Sequence, residues 1–175
     1  KCENTMKFRD LTAEDIEVRV AQCNEKWGVQ LLLYKTARTD MDILDETVGS
    51  ENWQNKFYEC KGNLYCSLGI NVNYNKPDKE PMWIWKDDCG SESNTEAEKG
   101  EASDARKRSG FAWGIGRELY TVPKFICFKP EDVTWKDGKC KDTFSVIALK
   151  VENKKVVGFK IQNNKTKKGI QYGNI

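Results

Sequence analysis

Residues 94–120, NTEAEKGEASDARKRSGFAWGIGRELY, form the only stretch in which helix signals, positive charge, small side chains and glycine punctuation coincide. Asn94 and Thr95 are suited to cap a helix opening with Glu96 and Glu98, because short polar side chains satisfy the unpaired amides and carboxylates favour the positive end of the helix dipole. Ala102, Ala105, Ser109 and Ala112 recur at helical spacing and define one face of small residues. Such a face lets a helix approach a sheet closely. Arg106, Lys107 and Arg108 point in three directions around the axis, so at least one of them faces away from the small stripe. Gly114 and Gly116 end the helix at positions that tolerate positive φ.

A sheet for this helix is written upstream. Leu64, Cys66, Leu68, Ile70, Val72 and Tyr74 alternate with Tyr65, Ser67, Gly69, Asn71 and Asn73, the period of a strand with one apolar face. A preceding strand over about residues 53–60 connects to it through Lys61-Gly62-Asn63, a loop of hairpin length, and Met82 to Cys89 reads as a third strand. Trp83 and Trp85 then project to one face, Met82 and Ile84 to the other. Towards the start, Thr12 with Glu14 and Asp15 resembles a capping box, and Ile16, Val20 and Cys23 follow at helical spacing, which predicts a first helix over about residues 12–26. Val29 to Tyr34 suits a short buried strand. Thr39 is expected to cap a second helix carrying Met41, Leu44 and Val48 and closed by Gly49, with Arg38 just ahead of it.

The fold class expected is therefore α+β: an antiparallel three-stranded β-meander packed on a long helix, preceded by short helices, with an extra C-terminal β-hairpin. Residues 144–151 and 156–161 supply that hairpin, and Phe125 to Phe128 reads as a further short apolar strand. A chain of 175 residues suits a single domain, with a core over about residues 10–122, a β extension over 123–162 and a polar, partly disordered tail over 163–175.

Composition narrows the chemistry. There is no histidine, which removes Ser-His-Asp and Cys-His nucleophiles and the commonest transition-metal ligand. Seven cysteines are scattered without the two-residue spacing of a zinc knuckle or redox motif, a usage that fits a reducing compartment. No apolar run approaches a membrane span and no secretory leader is visible, so a cytoplasmic location with no membrane partner is expected. A first residue that is Lys1 and not methionine suggests a missing upstream piece. The net charge of +2 hides an asymmetry: residues 1–94 hold 12 basic and 17 acidic side chains, a net −5, whereas residues 95–175 hold 17 and 10, a net +7. A basic half that begins at the central helix is the electrostatic footprint of a phosphate binder.

The order helix, Gly49-xxx-Trp53, three-stranded meander, then E-A-S-D-x-x-K-R from Glu101 to Arg108 leading into a glycine turn resembles the Rad-fifty-two family of single-strand annealing recombination proteins. The ending W-G-I-G-R-E-L-Y, Trp113 to Tyr120, is most similar to the phage and prophage members, and the resemblance spans roughly residues 10–122. It implies a protein of a bacterial host cell, encoded by phage or prophage, that binds single-stranded DNA in a basic groove of an oligomeric ring or filament. In such a groove the strand is held by its backbone with the bases free to pair. The family's Lys-Arg maps onto Lys107 and Arg108, and its arginine ahead of the second helix maps onto Arg38 within about one residue. After Arg108 the sequence Ser109-Gly110-Phe111-Ala112 lacks a further arginine of the family, for which Arg106 and Arg117 are out-of-register substitutes. Lys99 adds charge to the same helix. No cofactor, metal or catalytic residue is implied. A homo-oligomer and a host or phage single-strand-binding protein are the implied protein partners.

The residues agree with backbone recognition on their own terms, since a protein that pairs any two complementary strands must grip phosphates and not read base edges. Two alternatives stand beside it. Asp87, Asp88 and Glu92 are candidates to hold magnesium for phosphodiester hydrolysis, as in a metal-dependent nuclease. A single-strand-coating or scaffold protein without annealing activity is the other.

Overall fold

The computed structural model of the chain describes residues 6–91 and 97–175, with residues 97–99 described by their backbone alone. In chain order the strands and α-helices are β1 (Glu17–Asn24), β2 (Gly28–Tyr34), α1 (Ala37–Val48), β3 (Trp53–Cys60), β4 (Asn63–Asn71), β5 (Trp83–Cys89), α2 (Ala97–Ala112), β6 (Ile126–Phe128), β7 (Phe144–Glu152), β8 (Lys155–Asn163) and β9 (Gly169–Gly173). The class is α+β, and the strands form three separate antiparallel sheets ordered β1-β2-β6, β3-β4-β5 and β7-β8-β9. The chain divides into two compact units: residues 6–9 with Thr36–Gly116, and Asp10–Lys35 with Arg117–Ile175.

In the first unit, β4 follows its alternation: Cys66, Leu68 and Ile70 are buried, each at 1% exposure or less. Lys61 and Gly62 both take positive φ, 55° and 76°, the conformation of the two-residue turn whose twist matches paired strands, and they set the register Cys60 opposite Asn63. Two ties bind α2 to β4: the Leu64 amide donates to the Glu101 carboxylate at 2.9 Å, and the Trp113 indole N–H, just past the helix, donates to the Leu68 carbonyl at 3.0 Å. Ala105 and Ser109 are fully buried, so the small stripe is the packing face. Gly90 completes the fit, because a Cβ there would lie 2.1 Å from the Glu101 carbonyl oxygen.

In the second unit, Thr12 and Asp15 do form the reciprocal bonds expected of a capping box, the Thr12 amide donating to the Asp15 carboxylate at 2.7 Å. The helix predicted over residues 12–26 nevertheless does not follow. A 3-10 turn over Ala13–Asp15 gives way to extended backbone at Ile16, and β1 begins. Ile16, Val18 and Val20 also alternate with period two, and β-branched side chains prefer the strand when a partner strand lies opposite. That partner is β2, whose Val29, Leu31 and Leu33 are buried.

The C-terminal hairpin is likewise a three-stranded sheet. Asn153 and Lys154 turn β7 into β8 with φ of 51° and 60°, and the tail predicted to be partly disordered supplies β9, with Ile161 opposite Ile170. β6 pairs with β2, which places Phe128 in the core with its ring 4.9 Å from that of Phe144. α1 starts three residues earlier than expected, after Thr36 in place of Thr39, so Arg38 lies inside its first turn. The predicted caps Asn94 and Thr95 lie outside the described residues.

Candidate nucleic-acid interface

With Ala105 and Ser109 turned inward, the three basic residues between them meet different surroundings. Arg106 leans to the β3 side of α2: its guanidinium carbon lies 5.5 Å from the Phe57 ring centroid and its Nη1 donates to the Met41 sulfur at 3.7 Å. Its Nε is buried and lacks a hydrogen-bond partner among the described residues, an arrangement that the stacking on Phe57 helps offset. Arg108 leans the opposite way, to β5, where its Nε stands 3.4 Å from Asp88. The neighbouring Asp88 charge raises the guanidinium's pKa above its ordinary value, against a smaller opposing effect of burial. Lys107 sits about 200° around the helix from Ala105 and so faces away from the packing stripe.

Met41, which receives Arg106, is one turn beyond Arg38 on α1, and residues three apart share a helix face. The start of α1 is thereby brought beside the middle of α2. Arg38 is exposed there and adds full positive charge to the positive end of the α1 dipole; Asp40, in the same turn, is buried beside Gly110. Among the described residues neither Arg38 nor Lys107 has an ion-pair partner. Arg106 thus bridges α2 to α1 beside Arg38, and Lys107 projects from α2 away from its packing face. Arg117 belongs to the second unit, in a 3-10 turn over Arg117–Thr121, and the Lys99 side chain lies outside the described residues.

The face of the β3-β4-β5 sheet opposite α2 carries an aromatic row. Trp83 and Trp85 stack at 6.2 Å, Tyr58 and Tyr65 stack at 5.3 Å, and the Lys56 ammonium lies 4.4 Å from the centre of the Trp85 ring. Gly69 makes room for Trp85, since a Cβ there would come within 2.6 Å of that ring. The alternation of β5 predicts the shared face of the two tryptophans; their tyrosine companions come from other strands through register, which periodicity does not reveal.

The same alternation separates Asp87 from Asp88. As consecutive strand residues they leave β5 on opposite faces. Asp87 accepts a hydrogen bond from the Tyr58 hydroxyl at 2.7 Å; this bond first, with burial and the carboxylate's charge, pushes the Tyr58 pKa up to about 12. Asp88 accepts from the Cys89 amide at 2.8 Å and faces Arg108. The two carboxylates therefore do not form the pair that a shared cation requires. Glu92 and Glu96 lie outside the described residues, as does the Glu98 side chain, and among the described residues no group of three or more histidine, cysteine or acidic side chains converges.

Compared with family models, with curated proteins and with solved structures, the chain matches none. Among the described residues no helix is long and apolar enough to cross a membrane.

Proposed function

We propose that the protein binds single-stranded DNA by its phosphate backbone and promotes the annealing of complementary strands in recombination, as a homo-oligomeric ring or filament. The observation that supports this reading is that Arg38, at the start of α1, and Lys107, on the outward side of α2, stand without ion-pair partners among the described residues, with the half-buried Arg106 between the two helices. Cations that the fold leaves unpaired attract phosphates without selecting a base. In this reading β3, β4 and β5 with α2 are the annealing core, and the C-terminal sheet is an extension. Exposed sheet edges offer surfaces for head-to-tail assembly, which closes into a ring or grows as a helix.

Coating of single strands without annealing is the second reading, favoured by the half-exposed Trp83–Trp85 stack, a platform on which bases can lie. Labelled complementary strands, followed on gels with and without protein in the presence of magnesium or manganese, separate the cases. Faster duplex formation with intact strands is the expected result. Bound strands that pair no faster would leave the coating function, and shortened strands would replace both with hydrolysis. Sedimentation of the active protein as a monomer at micromolar concentration would remove the ring or filament.

A further inference from the structure

Within the first unit, a cavity of about 440 Å³ is lined by Met6, Lys7, Phe8, Val72, Tyr74, Asn75, Lys76, Lys86 and Trp113. Its walls are fixed by polar contacts. The Asn71 carboxamide oxygen accepts the amides of Asn73 and Met82 at 3.1 and 2.9 Å, and its Nδ2 donates to Asn52 at 2.9 Å, which anchors the turns that carry Val72, Tyr74 and Lys76. Further turns follow, with the Tyr74 amide donating to the Asn71 carbonyl and the Lys76 amide to the Asn73 carbonyl. On the other side the Trp113 ring is held by its bond to the Leu68 carbonyl, and the Lys86 ammonium sits 4.6 Å from that ring's centre while donating to the Ala112 carbonyl at 3.2 Å.

The lining has a definite chemical character. Lys7, Lys76 and Lys86 are among the lining residues and, among the described residues, no acidic side chain is, so the complementary occupant is anionic. Tyr74 and Trp113 contribute flat rings, and Met6, Phe8 and Val72 an apolar wall, which a bare inorganic anion would leave unused. The volume falls in the range of small-molecule sites, and the lining combines polar and apolar surface. We infer that this cavity is a nucleotide site, taking the phosphate on its lysines and the base against its aromatic wall. The nucleotide is either free or one unit of a strand. Its residues are distinct from Arg38, Arg106 and Lys107, so the inference does not rest on annealing.

Calorimetric titration with thymidine 5′-monophosphate, a dodecathymidylate strand and inorganic phosphate tests it on the full chain. Saturable binding of the monophosphate, weakened about tenfold or more in both Lys76→Glu and Lys7→Glu, supports the site, because losing a charge-assisted contact to phosphate is of that size. Binding of the strand alone, weakened in the same two variants, supports a nucleotide taken only as part of a strand. Inorganic phosphate bound as tightly as the nucleotide would overturn the inference, as would affinities for monophosphate and strand that neither variant changes. Failure of the annealing function is read separately, from strand pairing by the unaltered protein.

Discussion

In the unit formed by Asp10–Lys35 and Arg117–Ile175, buried polar side chains are committed to holding backbone. Asn163, with no exposure, donates to the Asp142 carboxylate at 2.9 Å and accepts the amides of Lys165 and Thr166, while Asp142 accepts the Thr134 amide at 2.7 Å and its hydroxyl. The fully buried Glu118 accepts the Leu11 amide at 2.7 Å. In the unit formed by residues 6–9 and Thr36–Gly116, Asn71 and Glu101 serve the backbone in the same way, but Arg38 and Lys107 hold nothing in place. Charge that the fold uses and charge that the fold leaves over call for different experiments: the first reads out in stability, the second in binding.

The largest expected effect is on the first kind. Asp142→Ala leaves the Thr134 amide without its acceptor and the Asn163 carboxamide with only the longer bond to the Asp132 carbonyl, and is expected to cost about 3 kcal/mol in urea unfolding. The carboxyl also predicts a pH dependence. Burial by itself raises its pKa, but hydrogen bonds from Thr134 and Asn163 and the nearby Lys165 charge outweigh burial and bring it below its ordinary value of 3.8. A folded pKa below the unfolded one means stability that is complete above the unfolded value and is lost as pH falls through the folded value. Unfolding curves between pH 7 and 2.5 should therefore show an acid loss that Asp142→Asn diminishes. An unchanged acid limb would show that this bracket does not carry it.

Next comes the packing face of α2. Ala105→Leu adds bulk at a position with no exposure, on a helix that already approaches Gly90 closely, and is expected to lower stability by about 2 kcal/mol and to impair annealing by displacing the basic side chains. Lys107→Ala is expected to stay within about 0.5 kcal/mol of the parent in the same melt. A Lys107→Ala protein that unfolds, beside an Ala105→Leu protein that melts like the parent, would mean that α2 presents the opposite face.

A smaller effect, on binding alone, is expected from the two cations without ion-pair partners among the described residues. Lys107→Ala and Arg38→Ala should each weaken single-strand binding by about 1 kcal/mol for all base compositions alike, and lower the slope of affinity against salt by about one. Fluorescence polarisation with homopolymer strands at several salt concentrations provides both quantities. Loss confined to one base composition would break the backbone-tracking picture.

Legibility in the sequence followed the same division. β4 could be read because its apolar face is buried without exception from Cys66 to Ile70, and its turn because Gly62 allows the left-handed conformation. Residues 16–23 were ambiguous because Ile16 and Val20 satisfy a helical period while Ile16, Val18 and Val20 satisfy a strand, and only the register with β2 decides between them. β9 carries little apolar signal; the edge of β8 recruits it, and Gly173 permits contact so close that a Cβ would lie 1.9 Å from the Val157 carbonyl oxygen. On α2, the outward direction of Lys107 follows from the small stripe. The partners of Arg106 and Arg108 do not, because Met41, Phe57 and Asp88 are remote in sequence and reach α2 only through the fold.

Those partners give the smallest and most discriminating expectation. The resemblance treats Lys107 and Arg108 as equivalent, whereas Arg108 stands 3.4 Å from Asp88 and Lys107 has no acidic partner among the described residues. Both members of the pair are partly exposed, so the bridge itself is worth at most about 1 kcal/mol and breaking it does not threaten the fold. What it does is compensate charge: a phosphate approaching Arg108 also approaches a carboxylate. Arg108→Ala is accordingly expected to cost less single-strand affinity than Lys107→Ala, and Asp88→Asn to tighten binding by a few tenths of a kcal/mol while steepening the salt dependence, because it releases a cation. Combining Asp88→Asn with Arg108→Ala should cancel the gain. If Arg108→Ala is as damaging as Lys107→Ala and Asp88→Asn changes nothing, DNA displaces Asp88 from Arg108 on binding, and the distinction between used and leftover charge fails at this residue.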